Sequence, residues 1–159
     1  MTSNPCLKQN QHQAILNGLA QLLGDTKTIY LKIKNYHWNA SGAIYQKFHM
    51  MFESQYADLA SGFDKVGDRI RALGVPAPVS QTQLNNPSAL QETSGTYKSR
   101  EIIRDLLEDQ KSAIGTARSV FLEAVNAEDR TTADLMIQRI QAHEKTASTL
   151  RSLLNISKS

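Results

Sequence analysis

Between Tyr36 and Gly74 the chain gathers residues able to bind a metal: His37 beside Trp38, the only tryptophan, then His49, Glu53 one helical turn later, and Asp64 and Asp68 four residues apart. Imidazole and carboxylate without thiolate suit Fe(II), and equally Zn(II), Mn(II) or Co(II), so ligand type alone leaves the metal open. At about 100° per residue with His49 at zero, Phe48, Phe52, Leu59, Phe63, Val66, Ile70 and Leu73 fall at roughly 240° to 320°. They form an apolar stripe fit for a core. Glu53, Asp64 and Asp68 fall at roughly 40° to 100°, on a flank shared with His49 and turned away from that stripe.

His49 and Asp64 are fifteen residues apart, or roughly 22 Å along a helix. One chain therefore cannot wrap both around one ion through this helix. Two copies of the helix packed antiparallel across a twofold axis would bring the His49 end of one beside the Asp64 end of the other, giving two identical sites. Ala60 and Gly67, within roughly 20° of His49, would permit close approach. Taken singly, each residue has an ordinary explanation: a lone histidine at a helix end is a surface or capping group, and Asp64 and Asp68 with Lys65 and Arg69 make a solvated face. A di-iron centre inside one bundle would instead use Glu-x-x-His pairs. No Glu in this chain is followed three residues later by His.

The elements that must hold these residues follow from periodicity. Ile15, Leu16, Leu19, Leu22, Leu23, Ile29, Tyr30 and Ile33 recur at helical spacing and predict a first helix from about Gln9 to Trp38. Asn39 to Gly42 carries turn chemistry, and a second helix is expected from about Ala43 to Leu73, stopped by Gly74, Pro76 and Pro78. Residues 75 to 96 turn polar and Pro-containing, a long connection in which Asn86 and Pro87 could open one short helix. A third helix is expected over about Ser99 to Val125, with Ile102, Ile103, Leu106, Leu107, Ile114, Ala117, Val120, Phe121 and Val125 inward. A fourth runs from Thr131 or Thr132 through Leu135, Ile140, Ala147 and Leu150 to about Leu154. Four long helices with a crossover between the second and third define an all-α, ferritin-like four-helix bundle, the link being long because those two helices run parallel. An up-and-down bundle with a slack loop is the alternative. Residues 1 to 8 read as a tail, 9 to 155 as one domain, and 156 to 159 as a short C-terminal tail.

With 159 residues and 40% hydrophobic content the chain can bury one core. Cys6 is the only cysteine, which rules out an internal disulfide or thiolate cluster and fits a reducing compartment. No stretch reads as a signal peptide or membrane span, so a soluble cytoplasmic protein is expected. The net charge of +3 is spread among acids rather than gathered in a block, which makes a mixed solvated surface the simpler reading than a polyanion-binding one.

The run His37-Trp38-Asn39, His49 with Glu53, Asp64-x-x-x-Asp68-Arg69-Ile70 and Leu73-Gly74 closely resembles the signature of the Dps family, the DNA-binding proteins from starved cells or miniferritins. Thr132-Ala133-Asp134-Leu135 at the start of the last helix also falls where that family has it, and the likeness covers nearly the whole chain. The resemblance implies a homo-dodecameric shell, a ferroxidase that oxidises Fe(II) at intersubunit sites, preferably with hydrogen peroxide rather than oxygen, and stores the Fe(III) as mineral. Such chemistry protects DNA and cell from oxidative stress. His37 and His49 would come from one subunit and Asp64 and Asp68 from its twofold partner; Glu53 would be a further ligand or pass iron to the mineral, and Trp38 would lie near the site. Asp129 and Asp134, with Glu128 third, are candidates for an acidic entry pore, although helix capping is an equally good role for Asp129.

The chain departs from the family in Asp68, where Glu is usual, one methylene shorter for bridging a second iron. It is also net basic, and its termini offer only Lys8 and Lys158 in place of a lysine-rich tail. Direct DNA binding is therefore expected to be weak at physiological salt. Two other functions fit the same residues: a nucleoid-associated, DNA-compacting protein with incidental metal, or an oligomer locked by structural Zn(II) in the same site.

Overall fold

The computed structural model describes residues 5–39, 45–78 and 99–156, and the expected helix at Asn86 and Pro87 lies outside them. Four helices make up the described chain: α1 Pro5–Asn39, α2 Tyr45–Ala72, α3 Ser99–Asn126 and α4 Arg130–Ile156. There is no strand among the described residues. α1 starts earlier than the periodicity predicts, at Pro5 rather than Gln9, so residues 5–8 belong to the helix and not to the tail. Proline suits a first helical turn, where an N–H would have no intrahelical partner.

Side-chain contacts fix the directions of the helices. From α1 to α3, Gln11 reaches Asn126, Asp25 meets Thr116, Lys32 meets Asp109 and Tyr36 meets Asp105. One number rises as the other falls, so α1 and α3 are antiparallel. α2 and α4 are antiparallel by the same test, since Asp58 pairs with Arg139 and Arg69 with Asp129 and Thr132. α1 and α2 are themselves antiparallel, because His37 near the end of α1 meets His49 near the start of α2 and Tyr30 meets Tyr56 further back. It follows that α2 and α3 are parallel. This is the ferritin-like connectivity.

The core is mainly aliphatic and closely follows the expected stripes: Leu19, Leu22, Ile29, Ile33, Phe52, Val66, Ile102, Ile103 and Ala117 are fully enclosed. Val125 is a correction. It was expected inward but is 51% exposed, because Val120 and Ala124 carry the core stripe to the end of α3 and leave the next position about 100° away. Met136, absent from the expected set, is fully buried.

Helix ends position the rest. Gly74, at φ 99, closes α2, and its N–H donates to the Arg71 carbonyl at 3.0 Å. At the end of α3 the Asp129 N–H donates to the Ala124 carbonyl at 2.8 Å and the Glu128 N–H to that of Val125 at 3.1 Å. This is a Schellman closure with Glu128, rather than glycine, at the left-handed position, φ 60. Asp129 then caps α4 by accepting from the Thr132 N–H at 3.1 Å.

Candidate metal centre

His37 lies in the last turn of α1 and His49 in the second turn of α2, and the antiparallel packing of the two helices brings one ring onto the other. The rings stack with centroids 4.6 Å apart and planes 30° apart. Nε2 of His37 and Nδ1 of His49 are 2.6 Å apart and share one hydrogen bond, one nitrogen donating and the other accepting. The other nitrogen of His49 lies 3.2 Å from Glu53 Oε1, the i, i+4 partner on the same helix. Phe52 and Tyr56 present ring edges to His37 at 6.4 and 5.9 Å and wall the pair on its inner side. Trp38, next along α1, is 72% exposed.

The two aspartates are elsewhere. Asp64 and Asp68 are exposed on the outer flank of α2, as the wheel requires. Asp64 stands at the rim of an open, largely apolar cavity of about 320 Å³ walled by Tyr30, Leu31, Leu59, Ala60 and Phe63. Leu31 is 48% exposed there. Within one chain the structure thus joins His37, His49 and Glu53 and leaves Asp64 and Asp68 apart from them. Among the described residues no three His, Cys, Asp or Glu side chains are arranged to hold a metal ion. The His37–His49–Glu53 string shows why: both His49 nitrogens are engaged, so a metal must displace at least one of those contacts and draw further ligands from another chain.

The pore candidates differ in availability. Both oxygens of Asp129 are committed, Oδ1 to Arg69 Nη2 at 2.8 Å and to the Thr132 N–H, Oδ2 to the Thr132 hydroxyl. Burial pushes its carboxyl up, but the Thr132 hydrogen bonds and the Arg69 charge outweigh that and hold it below the usual range. Asp134, one turn into α4, is exposed, as is Glu128.

A buried polar seam was not anticipated. Lys32 Nζ, 4% exposed as a residue, sits 2.8 Å from Asp109 Oδ2 and 3.3 Å from Asp105 Oδ1, and the Tyr36 hydroxyl donates to Asp105 at 2.7 Å. Asp25, fully buried, accepts from the Thr116 hydroxyl at 3.1 Å. Across the bundle His143 Nδ1 lies 2.6 Å from Gln110 Oε1, while its Nε2 is buried without a partner. Arg139, under the same α4 face, pairs loosely with Asp58 at 3.4 Å and lies flat on Gly62, where an added Cβ would come within 2.3 Å of the guanidinium carbon. The signal was present in the sequence: Asp25, Ile29, Lys32 and Tyr36 recur at i, i+4, i+7 and i+11, a single line on α1 that also carries core residues.

Comparison with known proteins agrees with this architecture. The family model for the ferritin-like domain matches residues 16–158. A low temperature-induced protein of Nostoc sp. is 29% identical over 150 residues, 93% of this chain and 84% of that protein. A DNA protection during starvation protein of Porphyromonas gingivalis is 27% identical over 139 residues, 87% of each chain. The crystal structure of a Dps protein from Vibrio cholerae O1, a member of a broad superfamily of ferritin-like diiron-carboxylate proteins, superposes with a TM-score of 0.86 at 26% identity over 91% of each chain. The chain belongs to the ferritin-like family, in its Dps miniferritin branch. No helix among the described residues is long and apolar enough to cross a membrane.

Proposed function

We propose that the protein is a ferroxidase and iron store in which Fe(II) is the substrate, held between His37 and His49 of one subunit and Asp64 and Asp68 of its twofold partner. One observation carries this reading. The histidines are paired at one end of the α1–α2 hairpin while the aspartates are exposed further along α2, Asp64 beside an open apolar cavity, so each chain presents two incomplete halves. A second copy laid antiparallel on that flank of α2 covers Leu31 and the cavity and completes both. Family membership supports iron as the metal.

Neutral imidazole and carboxylate hold Fe(II) while leaving coordination positions for an oxidant. Glu53, 65% exposed at its side chain and already on His49, takes a proton or a departing ferric ion from the site. The same reading extends to a dodecameric shell, to hydrogen peroxide as the preferred oxidant over oxygen, and to protection of DNA by removal of both reactants. Asp134 fits an entry channel better than Asp129, whose carboxylate is spent on Arg69 and the α4 cap.

Ferric absorbance after anaerobic loading with Fe(II) and addition of peroxide tests the reading. Intact protein should oxidise iron far faster than buffer and faster than with air alone. His37→Ala and Asp64→Ala should each lower the initial rate by on the order of tenfold or more, since losing even a partner that only orients a ligand costs about 10- to 100-fold in metal affinity or activity. Equal rates in parent and variants would sink the proposal.

A further inference from the structure

The aromatic residues near the histidines make a continuous file through the subunit. Tyr56 of α2 meets His37 edge-on at 5.9 Å, and Tyr30 of α1 meets Tyr56 edge-on at 5.7 Å with planes 69° apart. Tyr30 in turn walls the cavity that has Asp64 at its rim. The file thus begins at the histidine half-site and ends at the cavity that Asp64 borders. Both rings are half-buried and in contact without an intervening side chain, which is the arrangement that short electron transfers need. On the proposed twofold assembly the two halves belong to different iron sites, so the file spans the distance between the two sites of a dimer.

Resting on that reading, we propose that Tyr56 and Tyr30 are a redox relay joining the two iron sites of a dimer, through which the second electron needed by a peroxide oxidant is supplied. A single Fe(II) gives peroxide one electron and would release a hydroxyl radical. Here Fe(II) gives one electron and Tyr56 gives one electron with its phenolic proton. The O–O bond breaks, and the products are Fe(III), hydroxide, water and a neutral tyrosyl radical. Fe(II) at the other site then sends an electron through Tyr30, and Tyr56 regains a proton from solvent. The sum is one peroxide, two Fe(II) and one proton going to two Fe(III), one hydroxide and one water.

Two further features assign unequal parts to the tyrosines. Lys34 Nζ lies 4.8 Å from the centre of the Tyr30 ring, and a cation over a ring makes removal of an electron harder. The oxidised state therefore rests on Tyr56, next to the histidines, and Tyr30 is only crossed. The Tyr56 ring, by contrast, stands edge-on to His37 at 5.9 Å, so it is the first ring that an oxidant at the histidines meets. The relay also answers the shortness of Asp68: a site that holds one iron firmly still delivers two electrons.

Tyr56→Phe and Tyr30→Phe, which keep the rings, test the relay against the parent. Shells are loaded anaerobically with Fe(II), mixed with limiting hydrogen peroxide, and followed by freeze-quench electron paramagnetic resonance, by iron oxidised per peroxide, and by a hydroxyl-radical spin trap. The parent should show a transient tyrosyl signal, two irons per peroxide and little trapped radical. Tyr56→Phe should lose the signal, move toward one iron per peroxide and raise the spin-trap adduct several-fold, with Fe(II) binding unchanged. Tyr30→Phe should keep the tyrosyl signal and lengthen its lifetime. If shells oxidise Fe(II) with peroxide but the parent shows no tyrosyl signal, or the variants keep parental stoichiometry without adduct, the relay is overturned and the ferroxidase reading stands. Absence of any peroxide-dependent oxidation overturns both.

Discussion

Two buried titratable side chains tune this fold in opposite directions. His143 is held neutral, its pKa lowered to about 4 by burial first and then by the charge of Arg139, with Asp58 opposing. Asp109 is pushed up to about 6 by burial, against the pull of Lys32 and with the repulsion of Asp105 and Asp25 added. A histidine with a depressed pKa contributes stability that is complete above its ordinary value of 6.5 and is lost as the pH falls through about 4. For His143 that amounts to on the order of 3 kcal/mol. A carboxylate with a raised pKa does the reverse: its contribution is complete below 3.8 and is lost as the pH rises through about 6. The windows overlap, so the parent should change little in stability between these limits. Asp109→Asn keeps an acceptor for Lys32 and removes the second effect. It should be more stable than the parent at pH 7, with the advantage shrinking toward pH 4, in denaturant unfolding at fixed subunit concentration. A pH profile parallel to that of the parent would show that Asp109 does not titrate in this range.

At the level of helices, apolar spacing was enough to place all four and to orient α2, because an amphipathic pattern is a property of neighbouring positions. Asp64, Asp68 and Glu53 were legible as an outward flank for the same reason. What sequence could not show were pairings between residues far apart in the chain. Asp129 was a candidate for a pore or a cap until Arg69, from α2, was found on it, and nothing near Lys32 in the sequence announces Asp109 and Asp105, which come from α3. The contact between His37 and His49 likewise depends on how two helices are placed against each other, which no periodicity encodes. The α3–α4 junction yields a test at this scale. Glu128 holds a left-handed conformation, φ 60, that costs a residue with a Cβ about 1 to 2 kcal/mol relative to what glycine bears there. Glu128→Gly should therefore stabilise the protein by about 1 kcal/mol, less the extra chain entropy of glycine, and raise the thermal midpoint by a few degrees. It touches neither the histidines nor the aspartates, so the initial rate of iron oxidation should not change. A lower midpoint would mean that the Glu128 side chain stabilises the turn in some other way.

For the whole molecule, the decisive question is whether the two halves of the α2 flank complete one another between chains. Single substitutions cannot distinguish a shared site from two separate ones, since His37→Ala and Asp64→Ala are expected to slow iron oxidation strongly on either view. Mixed assemblies can. If a site takes its histidines from one copy and its aspartates from the other, a dimer of a His37→Ala chain with an Asp64→Ala chain contains one site with both defects and one with none. Random assembly makes half of the dimers mixed, and half of the sites in those are intact, so the rate should rise to about a quarter of the parental activity when the two impaired proteins are unfolded together and refolded. Co-refolding His37→Ala with His49→Ala gives a control, because both ligands come from the same half and every site keeps a defect. Recovery in the first mixture and none in the second would place the iron between subunits, whereas no recovery in either would mean that each chain must carry its histidines and aspartates to the same ion.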